Sequence, residues 1–428
     1  MNWHETLERW ASWAARLASE PPPAPGLYHY LRQAEGENTR FHLRIDHSGA
    51  GLLLANATAA ARLSAPGVVI AKGLLDGDSP QVIGRRLVRR FHSVTPEDAA
   101  ADLEQVRQII ATLAAPGDNY PILNLADPAF VGQAEPLDKP LSADLPLAEP
   151  ARVVPLLDRL WDLGIPHVTF IAGEQPNPAA LVRLVEHAED LGLIAGVRGR
   201  GSVLAEGSLI QDLAAAGVDH VNLLYLSASP EVHDALAGAG DHQAAEEALS
   251  RTEKSEVCAV AEVALVQSTV SAMEATIAAL VRGGVTNVCF YALAADDPAS
   301  AGGALPADAL LPAAKLVEEL ADESQVRFLW YPPVRFDPGR PLDRQVCLGP
   351  RCSGDHAVRV EPDGTVIPPR GPRLSAGNLF NDTWETIHGS AAFEQYRRRL
   401  AADTHCPDCP GLAICAADCP RDRAGWAE

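Results

Sequence analysis

The chain has no uninterrupted apolar stretch of the roughly 18 residues that a membrane-crossing helix needs, so no span is expected. Its first residues, MNWHETLERW, lack the basic and apolar regions of a secretory signal, and a cytoplasmic, reducing compartment is the expectation. Basic side chains are in deficit: 35 Lys and Arg stand against 56 Asp and Glu, a formal net charge of −21. Neutralising phosphates takes clustered cations, so this balance argues against a general nucleic-acid binder. Neither nucleic acid nor a membrane is an expected partner. Gly-x-Ser-x-Gly, His-Glu-x-x-His and P-loop patterns are absent, as are a repeat of fixed period and a low-complexity block. Cysteine is almost missing until late in the chain: six of eight lie in the last 82 residues. In a reducing compartment such clustering points to metal ligands rather than disulfides.

What is present is the composition of a soluble globular chain, 47% apolar and 21% charged over 428 residues, long enough for several domains. A Pro-rich linker, PPPAPG, follows an N-terminal amphipathic helix, the two occupying residues 1–25. Residues 26–116 read as a small α+β module. Its strand-like runs are LYHYLR, FHLRID and GLLLAN, the last two joined by the turn HSGA. Helical periodicity is then expected from Ala57 to about Leu113, with Thr95 capping a helix that opens at Pro96.

Residues 117–340 alternate strands and helices. YPILNLA, HVTFIAG, LIAGVRG, HVNLLYLS, VCAVAEVALV, NVCFYAL and VRFLWYP read as strands. Between them, Val153, Leu156, Leu157 and Leu160 form one helical stripe and Leu181, Leu184, Val185 and Ala188 another, the second capped by Asn177. Ser271 and Glu274, and later Asp382 and Glu385, stand at capping-box spacing. Repeated βα units with apolar strands imply a parallel sheet covered by helices, here a partial (βα) TIM-type barrel, with ligands at the C-terminal strand ends.

Residues 341–428 turn Cys- and Pro-rich. AVRVEPDGTVIPP reads as a hairpin turning at Asp363-Gly364. HCPDCPGLAICAADCP sets Cys406, Cys409, Cys415 and Cys419 at C-x2-C-x5-C-x3-C. Thiolates at this density suit Zn or an iron–sulfur cluster, and spacing alone does not choose between them. Cys347 and Cys352 form a looser pair. Cys258 and Cys289, one to a strand, read as core residues.

The run CLGPRC, VRVEPDGTVIPP, SAGNLFNDTWETI and CPDCPGLAICAADCP resembles the SPASM domain of radical S-adenosylmethionine (SAM) enzymes. FIAGEQP resembles that family's Gly-Gly-Glu-Pro motif after the second strand, and LSASPEVHDALAGAGDH its segment after the fourth. The first module resembles the winged-helix peptide-recognition domains of ribosomal-peptide maturases. The resemblance implies auxiliary [4Fe–4S] clusters held by Cys347, Cys352, Cys406, Cys409, Cys415 and Cys419. It also implies that Gly173 and Glu174 meet the amino group of SAM, and that the partner is a substrate or leader peptide.

The sequence departs from the family where the chemistry is hardest. Members carry C-x3-C-x2-C after the first strand, to hold the cluster that cleaves SAM. With YPILNLA as that strand, the corresponding segment has no Cys and no His, and Leu125 to Lys139 offers only Asp127, Glu135 and Asp138. SAM binding is therefore in doubt. Each auxiliary site keeps three of its four cysteines, since Pro368 and Pro369 stand in the hairpin where one is usual and none follows Cys419. His405 and Asp408 are candidate replacements. The expectation is a degenerate or accessory member that serves a catalytically complete radical SAM partner. An active redox maturase using an auxiliary cluster, and a Zn-stapled scaffold, remain as alternatives.

Three smaller features complete the reading. RRLVRRFH sets Arg85, Arg86, Arg89 and Arg90 on a helix, either a solvated face or a dock for an acidic peptide. RGRGSVL is either a plain turn or an anion site. His233 and Asp234, adjacent on a helix, face different directions and do not read as an acid–base pair.

Overall fold

The computed structural model describes residues 21–34, 37–56, 59–91, 94–114, 139–255, 257–285, 287–295, 298–331, 333–354, 356–369 and 373–401. The chain divides into two compact units, Met1–Glu135 and Pro136–Glu428.

In the first unit, β1 (Gly26–Ala34), β2 (Glu37–Ile45), β3 (Gly51–Ala55) and β4 (Ala59–Leu63) form an antiparallel meander. The HSGA turn works as expected: Asp46 N–H donates to Ala50 O at 2.9 Å and Gly49 takes a left-handed φ of 85°. Three helices follow: α1 (Ala65–Asp76), α2 (Pro80–Arg90) and α3 (Pro96–Ala114). Thr95 and Asp98 cap α3 reciprocally, each backbone N–H reaching the other's side chain at 3.1 Å. The helical reading from Ala57 fails at its start, where AAARL is a strand. Alanine favours helix locally, but pairing of Leu54 with Ala60 and Leu52 with Arg62 completes the sheet and overrides that preference. Phe41, Leu43, Leu53, Ile70, Ile83 and Leu87 fill the core between sheet and helices.

The second unit begins its βα series at β5 (Ser142–Pro146). In chain order there follow α4 (Pro150–Leu163), β6 (His167–Ile171), α5 (Pro178–Leu191), β7 (Ile194–Arg200), α6 (Gly201–Leu204), α7 (Leu209–Ala215) and β8 (His220–Leu224). Next are α8 (Pro230–Ala237), α9 (Asp241–Lys254), β9 (Cys258–Leu265), α10 (Gln267–Val270), α11 (Met273–Arg282) and β10 (Asn287–Ala295). β11 (Leu305–Pro306), α12 (Leu310–Glu323), β12 (Arg327–Trp330) and β13 (Val334–Arg335) end the series. Then come α13 (Leu342–Leu348), β14 (Ala357–Val360), β15 (Thr365–Ile367), β16 (Gly377–Asn378), α14 (Trp384–His388) and α15 (Ala391–Ala401).

Strands β5 to β10 pair in sequential order, all parallel, and β12 extends them beyond β10. β14 lies parallel to β5 at the other side, and β15 and β16 continue from it antiparallel. This large parallel sheet with helical crossovers is the mixed α/β arrangement expected. The stripes predicted for α4 and α5 are buried, Asn177 Oδ1 accepts from Ala180 N–H at 3.2 Å, and the hairpin turns at Asp363-Gly364.

Several local expectations are corrected. YPILNLA lies outside the described residues, and the first described strand of the series is β5, SADLP, which the sequence reading did not single out. Ser271 does not cap α11: its hydroxyl bonds Ser268 O at 2.9 Å. Thr383, not Asp382, caps α14, because Asp382 accepts from Asn378 N–H at 2.8 Å. Cys258 is exposed, since it sits at the first residue of β9 where the strand has not yet entered the core. Cys289 is buried as expected, and burial pushes its thiol up to about 12.

Candidate active site

Alternation along the parallel strands sends Val168, Phe170, Val197, Leu223 and Val263 outward against the helices. The residues between them turn inward, and there the sheet is polar: Asp144 on β5, Thr169 on β6, Arg198 on β7, Asn222 on β8 and Glu262 on β9 are all buried. A buried charge is costly unless paired. Arg198 Nε donates to Glu262 Oε2 at 2.5 Å, and its Nη1 to Leu348 O at 3.1 Å.

A hydrogen-bonded string leads into this pair. Asn222 Nδ2 donates to Glu262 Oε1 at 3.1 Å and to Tyr331 Oη at 2.9 Å. That orientation makes Asn222 Oδ1 the acceptor for His220 Nδ1–H at 2.7 Å. Burial lowers the proton affinity of His220, so its ring is neutral, and with the proton on Nδ1 its Nε2 accepts from His167 Nε2 at 2.8 Å. Gly196 makes room for the string, because a Cβ there would stand 2.0 Å from the His220 ring. Asp144 is apart from the string. Burial pushes its carboxyl up to about 7, although Ser353 Oγ donates to it at 3.1 Å and Arg198 and Arg359 attract its charge.

Above this layer, at the C-terminal strand ends, a cavity of about 180 Å³ opens. Gly173 and Glu174, in the connection after β6, line it together with Arg198, Arg200, Arg344 and Cys347. Glu174 is ion-paired with Arg344 of α13. Arg200 Nη1 donates to Ala237 O at 3.0 Å, and Cys347 Sγ lies 3.3 Å from Leu236 O. Burial raises the Cys347 thiol, against the pull of the Arg200 charge.

Of the residues singled out from sequence, Gly173, Glu174 and Cys347 therefore share one cavity. Cys352 is buried in the segment after α13, next to Ser353, whose hydroxyl reaches Asp144. Cys406, Cys409, Cys415 and Cys419, with His405 and Asp408, lie outside the described residues. Among the described residues no group of three or more His, Cys, Asp or Glu side chains could hold a metal ion. The sequence reading missed Asn222, Glu262 and Arg344, and had Arg198 only as part of RGRGSVL. Its available signal was Arg198 and Glu262 themselves, opposite charges set in two otherwise apolar strands.

The smaller features also resolve. RGRGSVL runs from the end of β7 into α6, Arg198 and Arg200 line the cavity, and Gly201 has a packing role. This glycine starts α6 where a Cβ would stand 2.3 Å from Ala245 N, so glycine there permits close packing of α6 on α9. His233 is buried and bonds Asp241, not Asp234: Nδ1 accepts from Leu226 N–H at 3.2 Å, leaving Nε2–H for Asp241 Oδ2 at 3.1 Å.

A scan of protein-family models and a search of curated proteins find no match to this chain. Solved structures do match. Streptococcus suis SuiB bound to S-adenosylmethionine superposes with a TM-score of 0.55 at 10% identity, covering 89% of this chain and 93% of that one. SuiB bound to precursor peptide SuiA gives 0.54 at 10% identity, covering 92% and 95%. The chain therefore shares its fold with SuiB. At such identity the likeness concerns the fold.

No described helix is long and apolar enough to cross a membrane.

Proposed function

We propose that this chain is a peptide-binding relative of the radical SAM/SPASM maturases that cannot cleave SAM by itself. In this reading residues 26–116 are a winged-helix-like recognition module, 117–340 a partial barrel and 341–428 a SPASM-like domain. The chain presents a peptide to a catalytically complete radical SAM partner, and its C-terminal cysteines hold iron–sulfur. The class of reaction is suggested by the fold that the chain shares with SuiB, a protein whose structures contain SAM and a precursor peptide.

One observation carries the reading. Only Leu147, Ala148 and Glu149 join β5 to α4. With β5, the first described strand of the parallel series, taken as the family's first strand, the resemblance implies a C-x3-C-x2-C loop in this connection. Three residues cannot contain that motif, and none of these three is a thiolate or imidazole donor. The single carboxylate is a hard ligand, poorly matched to a cluster that needs sulfur. The SAM-cleaving cluster does not fit here, and no step is routed through it.

Cys347 supports the auxiliary role. It opens into the same cavity as Glu174, so a cluster held there would border that carboxylate. The test is anaerobic reconstitution with iron and sulfide, followed by iron, acid-labile sulfide and zinc assays and by dithionite reduction in the presence of SAM. We expect iron and sulfide to be retained, reduced by Cys406→Ser/Cys409→Ser, with no 5′-deoxyadenosine formed. Clear production of 5′-deoxyadenosine would overturn the degenerate assignment. Zinc without sulfide would remove the iron–sulfur role.

A further inference from the structure

Helices α1 and α2 of the first unit enclose a groove of about 500 Å³. They approach closely at Gly73, where a Cβ would stand 2.8 Å from Ile83 Cγ1. Val69 and Val82 give the groove an apolar floor. Its walls carry five cations, Lys72, Arg85, Arg86, Arg89 and Arg90, against one carboxylate, Asp76.

Part of this charge has an internal partner. Lys72 Nζ lies 2.7 Å from Asp76 Oδ2, and Arg86 is ion-paired with Asp78. Arg90 sits with its guanidinium 5.7 Å from the Phe91 ring centre. Arg85 and Arg89 are exposed, one turn apart on α2, and neither has a carboxylate partner among the described residues. Like charges at this spacing destabilise a helix. The dipole compensates Arg89 in the last turn, but not Arg85 in the middle. Residues 26–116 hold 10 Lys and Arg against 9 Asp and Glu, so the groove gathers half of the cations of a nearly neutral module. Screening over about 8 Å at physiological salt makes the charges within the groove the ones a ligand there would feel.

We propose that this groove binds an acidic peptide segment. Its carboxylates bridge Arg85 and Arg89, and an apolar side chain enters between Val69 and Val82. Two apolar floor residues beneath paired guanidinium groups suit a peptide that alternates acidic and apolar residues. A nucleic acid would need a longer cationic track than this helix provides. The proposal rests on the peptide-binding reading above and is independent of the metal.

The test uses the full-length protein and a fluorescein-labelled peptide of alternating Glu and Leu, with its Gln/Leu counterpart, followed by fluorescence anisotropy. We expect the acidic peptide alone to bind, more weakly as salt rises, and Arg85→Glu/Arg89→Glu to weaken it by about tenfold or more. Arg340→Glu/Arg373→Glu, an equal change of net charge in the other unit, should leave binding intact. Both changed pairs are surface-exposed, and circular dichroism of each variant verifies the fold. Binding that survives the Arg85/Arg89 reversal overturns the groove while keeping the peptide reading. No binding of the acidic peptide to the wild type, equal binding of the Gln/Leu peptide, or tighter binding of a single-stranded oligonucleotide overturns the proposed ligand.

Discussion

Arg198 of β7 and Glu262 of β9 meet at 2.5 Å across β8, each buried, with Asn222 of the intervening strand bonded to the same carboxylate. An ion pair in such surroundings is costly to form and more costly to break, because the survivor is left charged and unpaired. Glu262→Gln is expected to destabilise the barrel unit by roughly 3–5 kcal/mol. Replacing both partners, Arg198→Met with Glu262→Met, should recover much of that loss. Urea unfolding followed by tryptophan fluorescence measures both; equal midpoints for the single variant and the wild type would show that the pair is not what holds these strands.

Asp144 provides a pH dependence of the opposite sign to most carboxylates. Its folded value of about 7 is raised by burial above the ordinary 3.8 of an aspartate. The folded state thus binds its proton more tightly than the unfolded state, and its contribution to stability is lost as pH rises from about 4 to about 7. The full span corresponds to at most about 4 kcal/mol. Asp144→Asn keeps an oxygen for Ser353 and removes the titration. It should be close to wild type at pH 3 and clearly more stable at pH 8; a pH-independent difference would contradict the buried neutral acid.

His233 and Asp241 tie α8 to α9. Burial alone would raise the Asp241 carboxyl, but hydrogen bonds from the His233 ring and Ser202 more than offset it and hold the value low. This contribution is present above the unfolded value and is lost as pH falls through the folded one. Asp241→Ala leaves the His233 Nε2–H and Ser202 N–H without their acceptor and should cost about 1–3 kcal/mol at neutral pH. The deficit should narrow on acidification, as differential scanning calorimetry between pH 7 and pH 3 would show.

Much of this architecture follows from patterns that one strand or helix carries alone. The stripes of α4 and α5, the Asn177 and Thr95 caps and the Asp363-Gly364 turn depend on neighbours a few residues away, and they formed as read. The site does not work this way. Arg198, Glu262 and Leu348 are joined only because three distant segments converge on one face of the parallel sheet. β5 was missed for a related reason: SADLP is short and polar, and becomes a strand by lying between β6 and β14. Ser271 shows the reverse error, a capping pattern whose hydroxyl found a nearer carbonyl. Glu174, read by resemblance alone, does line the cavity, but sequence could not show that Arg344, 170 residues away, pairs with it.

That last pair gives the most direct probe of the cavity. Glu174 and Arg344 side chains are 62% and 65% exposed, so their ion pair contributes only about 0–1 kcal/mol to stability. Its consequence is for ligands: a guanidinium on the Glu174 carboxylate competes with any ammonium group that would bind there. Arg344→Ala should leave the melting temperature nearly unchanged and tighten SAM binding several-fold in isothermal titration. Glu174→Ala should weaken SAM by about tenfold, the equivalent of ~1.4 kcal/mol, again without loss of stability. If Arg344→Ala weakens SAM instead, the arginine is a ligand contact in its own right, its charge directed to the SAM carboxylate. If neither substitution changes SAM affinity, Glu174 does not receive the ammonium, and the motif after β6 has kept its position without its role.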